Sequence, residues 1–343
     1  MARISKISIH VLILALIAVL SGSCQAEIPL KKINGISLVA SRDSLRSEHI
    51  LPMVEINANA VALVPYAFVP NKDEPRLIFN TERQWFGERV AGIEHAIKLL
   101  KKQDLRLMIK PHIWLRNGEF TGDFKASTES DWVKFESTYR DYILLYARIA
   151  EENNIETFCI GTELFNFADQ RPDYWKQLIA DVRSIYKGKL VYAENWDKVD
   201  KIEFWDQLDY IGVDAYFPLS EESSPTEEEI RNGWQNHKNM LEELSQEFNK
   251  PVMFTEYGYR SMDYALKEPW NSSRDISGIN QELQARALKI LYEEFWGENW
   301  FAGGYIWKWH QSENAGGPDN DRFTPQNKPA EAVIQKNHEN FRN

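Results

Sequence analysis

The sequence predicts a single (β/α)₈ barrel of the α/β class, and three observations carry that expectation. Eight short apolar runs alternate with amphipathic helical stretches along the chain. No repeat, low-complexity block or Pro/Gly/Ser linker divides them. Several of the apolar runs finish in polar or aromatic residues, as barrel strands do where they open onto a mouth. A doubly wound open sheet is the alternative, but ISLVASRDS, the first run and its sequel, lacks the G-x-G-x-x-G turn of a dinucleotide site.

In chain order the expected strands are INGISLVA (33–40), AVALVPYAF (60–68), LRLMIKPHIW (105–114), TFCIGTEL (157–164), KLVYAENW (189–196), YIGVDAYF (210–217), PVMFTEYGY (251–259) and GGYIWKWH (303–310). The helical stretches between them are GERVAGIEHAIKLLKKQ (87–103), residues 131–153, DYWKQLIADVRSIY (173–186), residues 227–248 and QELQARALKILYEEFW (281–296). The stretch 131–153 is the clearest, because Trp132, Phe135, Tyr139, Ile143 and Tyr146 recur at helical spacing.

The first residues read as an address. Arg3 and Lys6 precede an apolar run at 11–20, then small residues lead to Cys24. LSGSCQ resembles a bacterial lipoprotein processing site, although Ser21 stands where the usual pattern has Leu. The expectation is therefore a signal peptide over residues 1–23, a tether over 24–32 beginning at a lipidated Cys24, and the barrel domain over 33–343. It implies an exported chain held at a bacterial envelope or surface through acyl chains alone. Cys159 is the only other cysteine, so no disulfide framework supports the fold, and the core must. A monomer is expected.

A net charge of −11 with both signs mixed along the chain argues against a nucleic-acid partner. The Trp content points elsewhere. Twelve Trp in 343 residues exceed what core packing commonly uses, and a Trp face offers a sugar ring an apolar platform.

Barrel geometry turns the strand ends into one site. The third run ends in Lys110, His112 and Trp114; the fourth in Glu163; the fifth in Asn195 and Trp196; the sixth in Asp214 and Tyr216; the seventh in Glu256; the eighth in Trp307 and Trp309. Strand alternation places Lys110, His112 and Trp114 on one face, and Trp307 with Trp309 on one face. Two carboxylates over a shared mouth rich in Trp and Tyr are the equipment for cleaving a glycosidic bond. One must donate a proton to the leaving oxygen and the other must attack or activate water. Glu163 is assigned the donor role and Glu256 the nucleophile role, with Tyr216 as a donor that holds Glu256 ionised. Lys110, His112, Trp114, Asn195, Trp196, Asp214, Trp307 and Trp309 are the candidate sugar contacts. Trp270, in the long connection 262–280, is a further one. His112 has no partner at zinc-ligand spacing, and GGPDNDRFTP from Gly316 lacks a calcium-loop pattern and reads as a mobile loop near the mouth. No cofactor is expected.

CIGTEL and FTEYGY look like the acid/base and nucleophile motifs of the clan of retaining (β/α)₈ glycosidases. Together with IKPHIW, IGVDAYF and GGYIWKW they make the chain resemble most closely glycoside hydrolase family 113, known for β-1,4-mannan hydrolysis. The resemblance implies endo-type cleavage of mannan or glucomannan by double displacement, with Glu163 as acid/base, Glu256 as nucleophile, Tyr216 as its hydrogen-bond partner and Trp307 as the platform at the cleavage point. Two positions depart from the wider clan. Thr162 stands where many members have the Asn that binds the 2-hydroxyl, and Asp214 where many have His. The 2-hydroxyl contact is left to Asn195, or to Lys110 with His112. The alternatives are another β-glycan, an exo-acting mannosidase, or a surface glycan-binding lipoprotein without turnover.

Overall fold

The computed structural model describes residues 31–71, 75–273 and 278–342. The signal segment, Cys24 and the tether up to residue 30 lie outside the described residues. Eleven strands are described: β1 (Ile33–Leu38), β2 (Ala60–Leu63), β3 (Tyr66–Val69), β4 (Ile78–Phe79), β5 (Arg106–Ile109), β6 (His112–Leu115), β7 (Thr157–Thr162), β8 (Lys189–Asn195), β9 (Tyr210–Asp214), β10 (Val252–Tyr257) and β11 (Phe301–Trp309). Eight of them close a barrel in the order β1-β2-β5-β7-β8-β9-β10-β11, each pairing in parallel with its neighbours. The fold is a (β/α)₈ barrel.

Two expected strands are each cut in two by a proline. Pro65 separates β2 from β3, and Pro111 separates β5 from β6. A proline has no N–H for the ladder and fixes its own φ, so pairing stops there and the chain changes direction. The upper halves β3 and β6 pair in parallel, β4 adds antiparallel to β3, and a small second sheet results. Tyr142 ties it down, its single hydroxyl proton shared between Pro65 O at 2.9 Å and His112 O at 3.0 Å. This sheet carries Tyr66, His112 and Trp114 beyond the barrel rim.

The long helices begin where the sequence supplies caps. Thr226 accepts from Glu229 N, and the Glu229 carboxylate accepts from Thr226 N, at the head of Glu227–Phe248. Thr128 caps Glu129–Glu152, and Asn280 caps Gln281–Phe295. The connection from β8 to β9 departs from the expected alternation, holding only two 3₁₀ turns, Val199–Lys201 and Trp205–Gln207. Pro329–Asn340 is a terminal helix that the sequence pattern did not single out.

Between barrel and helices the core is aromatic. Trp175, Trp205, Trp234, Trp296 and Trp309 are fully buried, so part of the Trp excess is packing. Trp175 stacks on Phe204 and meets Tyr139, Phe167 and Tyr192. Gly161 on β7 makes room for this cluster: a Cβ there would lie 2.7 Å from both Trp175 and the Tyr139 hydroxyl.

Candidate active site

A cavity of about 1350 Å³ opens at the carboxyl ends of the barrel strands, and both Glu163 and Glu256 line it. Glu163 follows the last residue of β7. Its backbone turns to φ +50°, a left-handed conformation uncommon outside glycine. Its amide donates to Ala193 O on β8 at 2.8 Å, and the next amide, Leu164 N, donates to the Tyr192 hydroxyl at 2.9 Å. The turn that aims the carboxyl is thus pinned at two successive peptides.

Glu256, near the end of β10, is 5% exposed and receives a donor on each oxygen. Lys110 Nζ donates to Oε1 at 2.6 Å and the Tyr216 hydroxyl donates to Oε2 at 2.8 Å. Lys110 is held by Asp214, donating to its oxygens at 2.8 and 3.0 Å, and Thr255 Oγ1 donates to Asp214 Oδ1 at 2.7 Å. The network runs from β5 through β9 to β10, so barrel closure is what assembles it.

The two carboxyls sit in different fields. Burial pushes Glu163 well above the usual carboxylate range, and the charges of Asp214 and Glu256 add to it. Burial and Asp214 also push Glu256 up, to about 7, but Lys110 and Tyr216 pull against them. Among the described residues Glu163 receives no comparable donor pair. Environment therefore separates a carboxyl kept protonated from one that ionises more readily, the division of labour an acid/nucleophile pair needs. Burial opposes the charge on Lys110, but Asp214 and Glu256 raise its pKa on balance, so it stays cationic.

Of the candidate sugar contacts, His112, Trp114, Asn195, Trp196 and Trp307 line the cavity, as does Trp270, which stacks on Trp196 at 5.4 Å. Lys110, Asp214 and Trp309 do not line it, which corrects their placement. Lys110 and Asp214 are fully buried beneath Glu256 and spend their polar atoms on each other and on it. Trp309 is 1% exposed. Alternation fails there because β11 is out of register with β1 between the pairs Ile36–Ile306 and Leu38–Trp309, so Trp307 and Lys308 both reach the cavity while Trp309 turns into the core. The segment after Gly316 lines the cavity and is tied down: Arg260 pairs with Asp321, and Lys328 Nζ donates to Ser261 Oγ at 2.8 Å and Asn320 Oδ1 at 2.9 Å.

The sequence reading missed Glu194. This carboxyl on β8 is fully buried, pushed up to about 8 by burial against the donors Asn195 N and Tyr192, and its charge would raise Glu163 further. A signal was present, since Glu194 directly precedes Asn195, but strict alternation sends it to the opposite face from that residue. Lys308 and Tyr66 at the cavity wall were also missed.

The sequence profile of Glycoside Hydrolase Family 113 matches residues 40–328. No curated protein matches the sequence. Among solved structures, a family 113 β-1,4-mannanase in complex superposes with a TM-score of 0.76 at 24% identity, covering 90% of this chain and 99% of that one. A family 113 β-mannanase from Alicyclobacillus acidocaldarius, in complex with ManMIm, gives 0.77 at 22% identity, covering 91% and 98%. The Ruminococcus gnavus β-glucuronidase gives 0.59 at 14% identity, covering 91% of this chain but 50% of its own. At these identities the superpositions speak for the fold, whereas the profile spans most of the sequence, including both glutamate motifs and the strands that carry them. The chain belongs to glycoside hydrolase family 113.

Proposed function

We propose that this glycoside hydrolase is a retaining β-1,4-mannanase that cleaves mannan or glucomannan chains internally. One observation carries the mechanism: Glu256, in the same cavity as a carboxyl that burial keeps protonated, holds a hydrogen bond on each oxygen from Lys110 and Tyr216. Glu256 attacks the anomeric carbon while Glu163 gives its proton to the leaving oxygen. Glu163, now ionised, then takes a proton from the water that releases the sugar from Glu256. Trp307 lies under the sugar at the cleavage point. The choice of mannan rests on the family and on the two neighbouring structures described as β-mannanases.

Internal cleavage is supported by where the aromatic faces stand. Trp114 and Phe120 come from the extension above β5, and the Trp196–Trp270 stack comes from the loops after β8 and β10. In the circular strand order β7, which leads into Glu163, lies between β5 and β8, and Glu256 is on β10, just before the loop that carries Trp270. Sugars on both sides of the cut can therefore stack.

Incubation with mannan, glucomannan, β-glucan and xylan is expected to give mixed oligosaccharides from the mannans, with the β-anomer appearing first by NMR. Single-sugar release would sink internal cleavage; a first α-anomer would sink retention; glucan or xylan as the better substrate would move the specificity. Binding without any product would favour a glycan-binding role.

We also propose that the chain is exported and anchored through Cys24, on the strength of the charged, apolar and small-residue order before it. Palmitate labelling of the full chain in a bacterial host is expected, and should vanish in Cys24→Ala. Labelling that persists in that variant would refute the anchor.

A further inference from the structure

Nε2 of His112 is buried and has no hydrogen-bond partner among the described residues. The ring lines the cavity and its Nε2 stands 3.4 Å from Oε1 of Glu256, beyond good hydrogen-bonding distance. Its position is fixed. Tyr66 meets it edge-on at 5.4 Å, Trp307 lies parallel to it at 6.0 Å and 4°, and its amide donates to Pro65 O at 2.9 Å. A buried polar atom held in place without a partner costs free energy that a native fold rarely leaves uncompensated. At a cavity wall the natural partner is the ligand.

The location narrows which ligand atom it is. A group within 3.4 Å of the attacking carboxylate is close to the carbon attacked, and the hydroxyl on the adjacent carbon is the 2-hydroxyl. The other candidates are less free. The Lys110 ammonium is engaged by Asp214 and Glu256, the Asn195 side-chain oxygen accepts from Trp196 N at 3.0 Å, and Thr162 Oγ1 donates to Pro111 O at 3.4 Å.

We propose that His112 contacts the 2-hydroxyl of the sugar whose anomeric carbon Glu256 attacks, and so sets the preference at C2, where mannose and glucose differ. The inference rests on the hydrolase reading above. A neutral imidazole offers one N–H and one lone pair, and a hydroxyl can answer either. Burial, and then the Lys110 charge, hold the ring pKa well below its usual value, so it is neutral when Glu256 is ionised and does not quench it.

The test compares 2,4-dinitrophenyl β-mannobioside with its analogue lacking the 2-hydroxyl on the sugar that bears the leaving group. His112→Ala is expected to lose roughly 10²-fold in kcat/KM on the full substrate and no more than about threefold on the deoxy analogue. His112→Gln, with a polar tip, should recover part of the first loss and none of the second. The ratio of the two substrates does not depend on how much of a variant is folded. Equal losses on both substrates would overturn the contact while the hydrolase reading stands. A wild-type protein that turns over neither substrate takes both down.

Discussion

A Glu256→Gly variant is expected to lose roughly 10⁴-fold or more of kcat/KM on 2,4-dinitrophenyl β-mannobioside, and to regain turnover when azide is supplied. The reason is spatial. Removing the carboxylate leaves a space beneath the anomeric carbon, flanked by the Lys110 ammonium and the Tyr216 hydroxyl that had bonded its two oxygens. A small anion fits a space that has lost an anion. Its nitrogen bonds to the anomeric carbon as the bond to the phenolate oxygen breaks, giving an α-glycosyl azide by one displacement. An azide of β configuration from this variant would mean that a glycosyl-enzyme still forms without Glu256, and would remove the nucleophile assignment. Unchanged activity without azide would do the same.

Lys110→Met and Asp214→Asn are expected to move the acidic limb of the kcat/KM profile in opposite directions. The groups that face Glu256 are Lys110, Asp214, Tyr216, His112 and Glu163, with the charge of Lys308 and the hydroxyl of Tyr66 further off. In the mechanism proposed above Glu256 acts ionised, so activity is expected to fall as pH drops through its pKa, which burial and Asp214 push up to about 7. Lys110 opposes that rise, and a methionine in its place leaves two buried carboxylates without their shared cation. The limb should climb by about 1 to 3 pH units, with roughly 10²-fold loss near neutral pH. Asp214 pushes the same way as burial, so neutralising it should lower the limb and extend activity to more acid conditions. A merely structural role for these residues would reduce activity at all pH values alike. Shifts of the same sign in both variants, or none in either, would refute charge tuning by the pair.

Glu163 and Glu256 were legible because each closes an apolar run at a strand end that a barrel brings to one mouth. Tyr216 was legible for the same reason, two positions beyond Asp214. Lys110 and Asp214 were found in sequence but given the wrong partner. A residue at a strand end looks the same whether it faces a ligand or the underside of a neighbour, and only the closed ring of strands places Lys110 between two carboxylates. Trp309 was misplaced because an irregular register at the end of β11 breaks the period of two. The split of two expected strands at Pro65 and Pro111 was missed, although a proline cannot donate to a ladder, and the small sheet formed by their upper halves depends on the parallel pairing of Tyr66–Val69 with His112–Leu115.

By itself the sequence determined the barrel and the two glutamates, because hydrophobic period and the placing of charge at strand ends are local properties of the chain. The tertiary structure alone decided which polar side chains meet sugar and which meet each other. That choice turns on distances of a few ångströms between β5, β9 and β10, elements distant in sequence, and at that range one hydrogen bond determines whether a buried carboxyl holds or yields its proton.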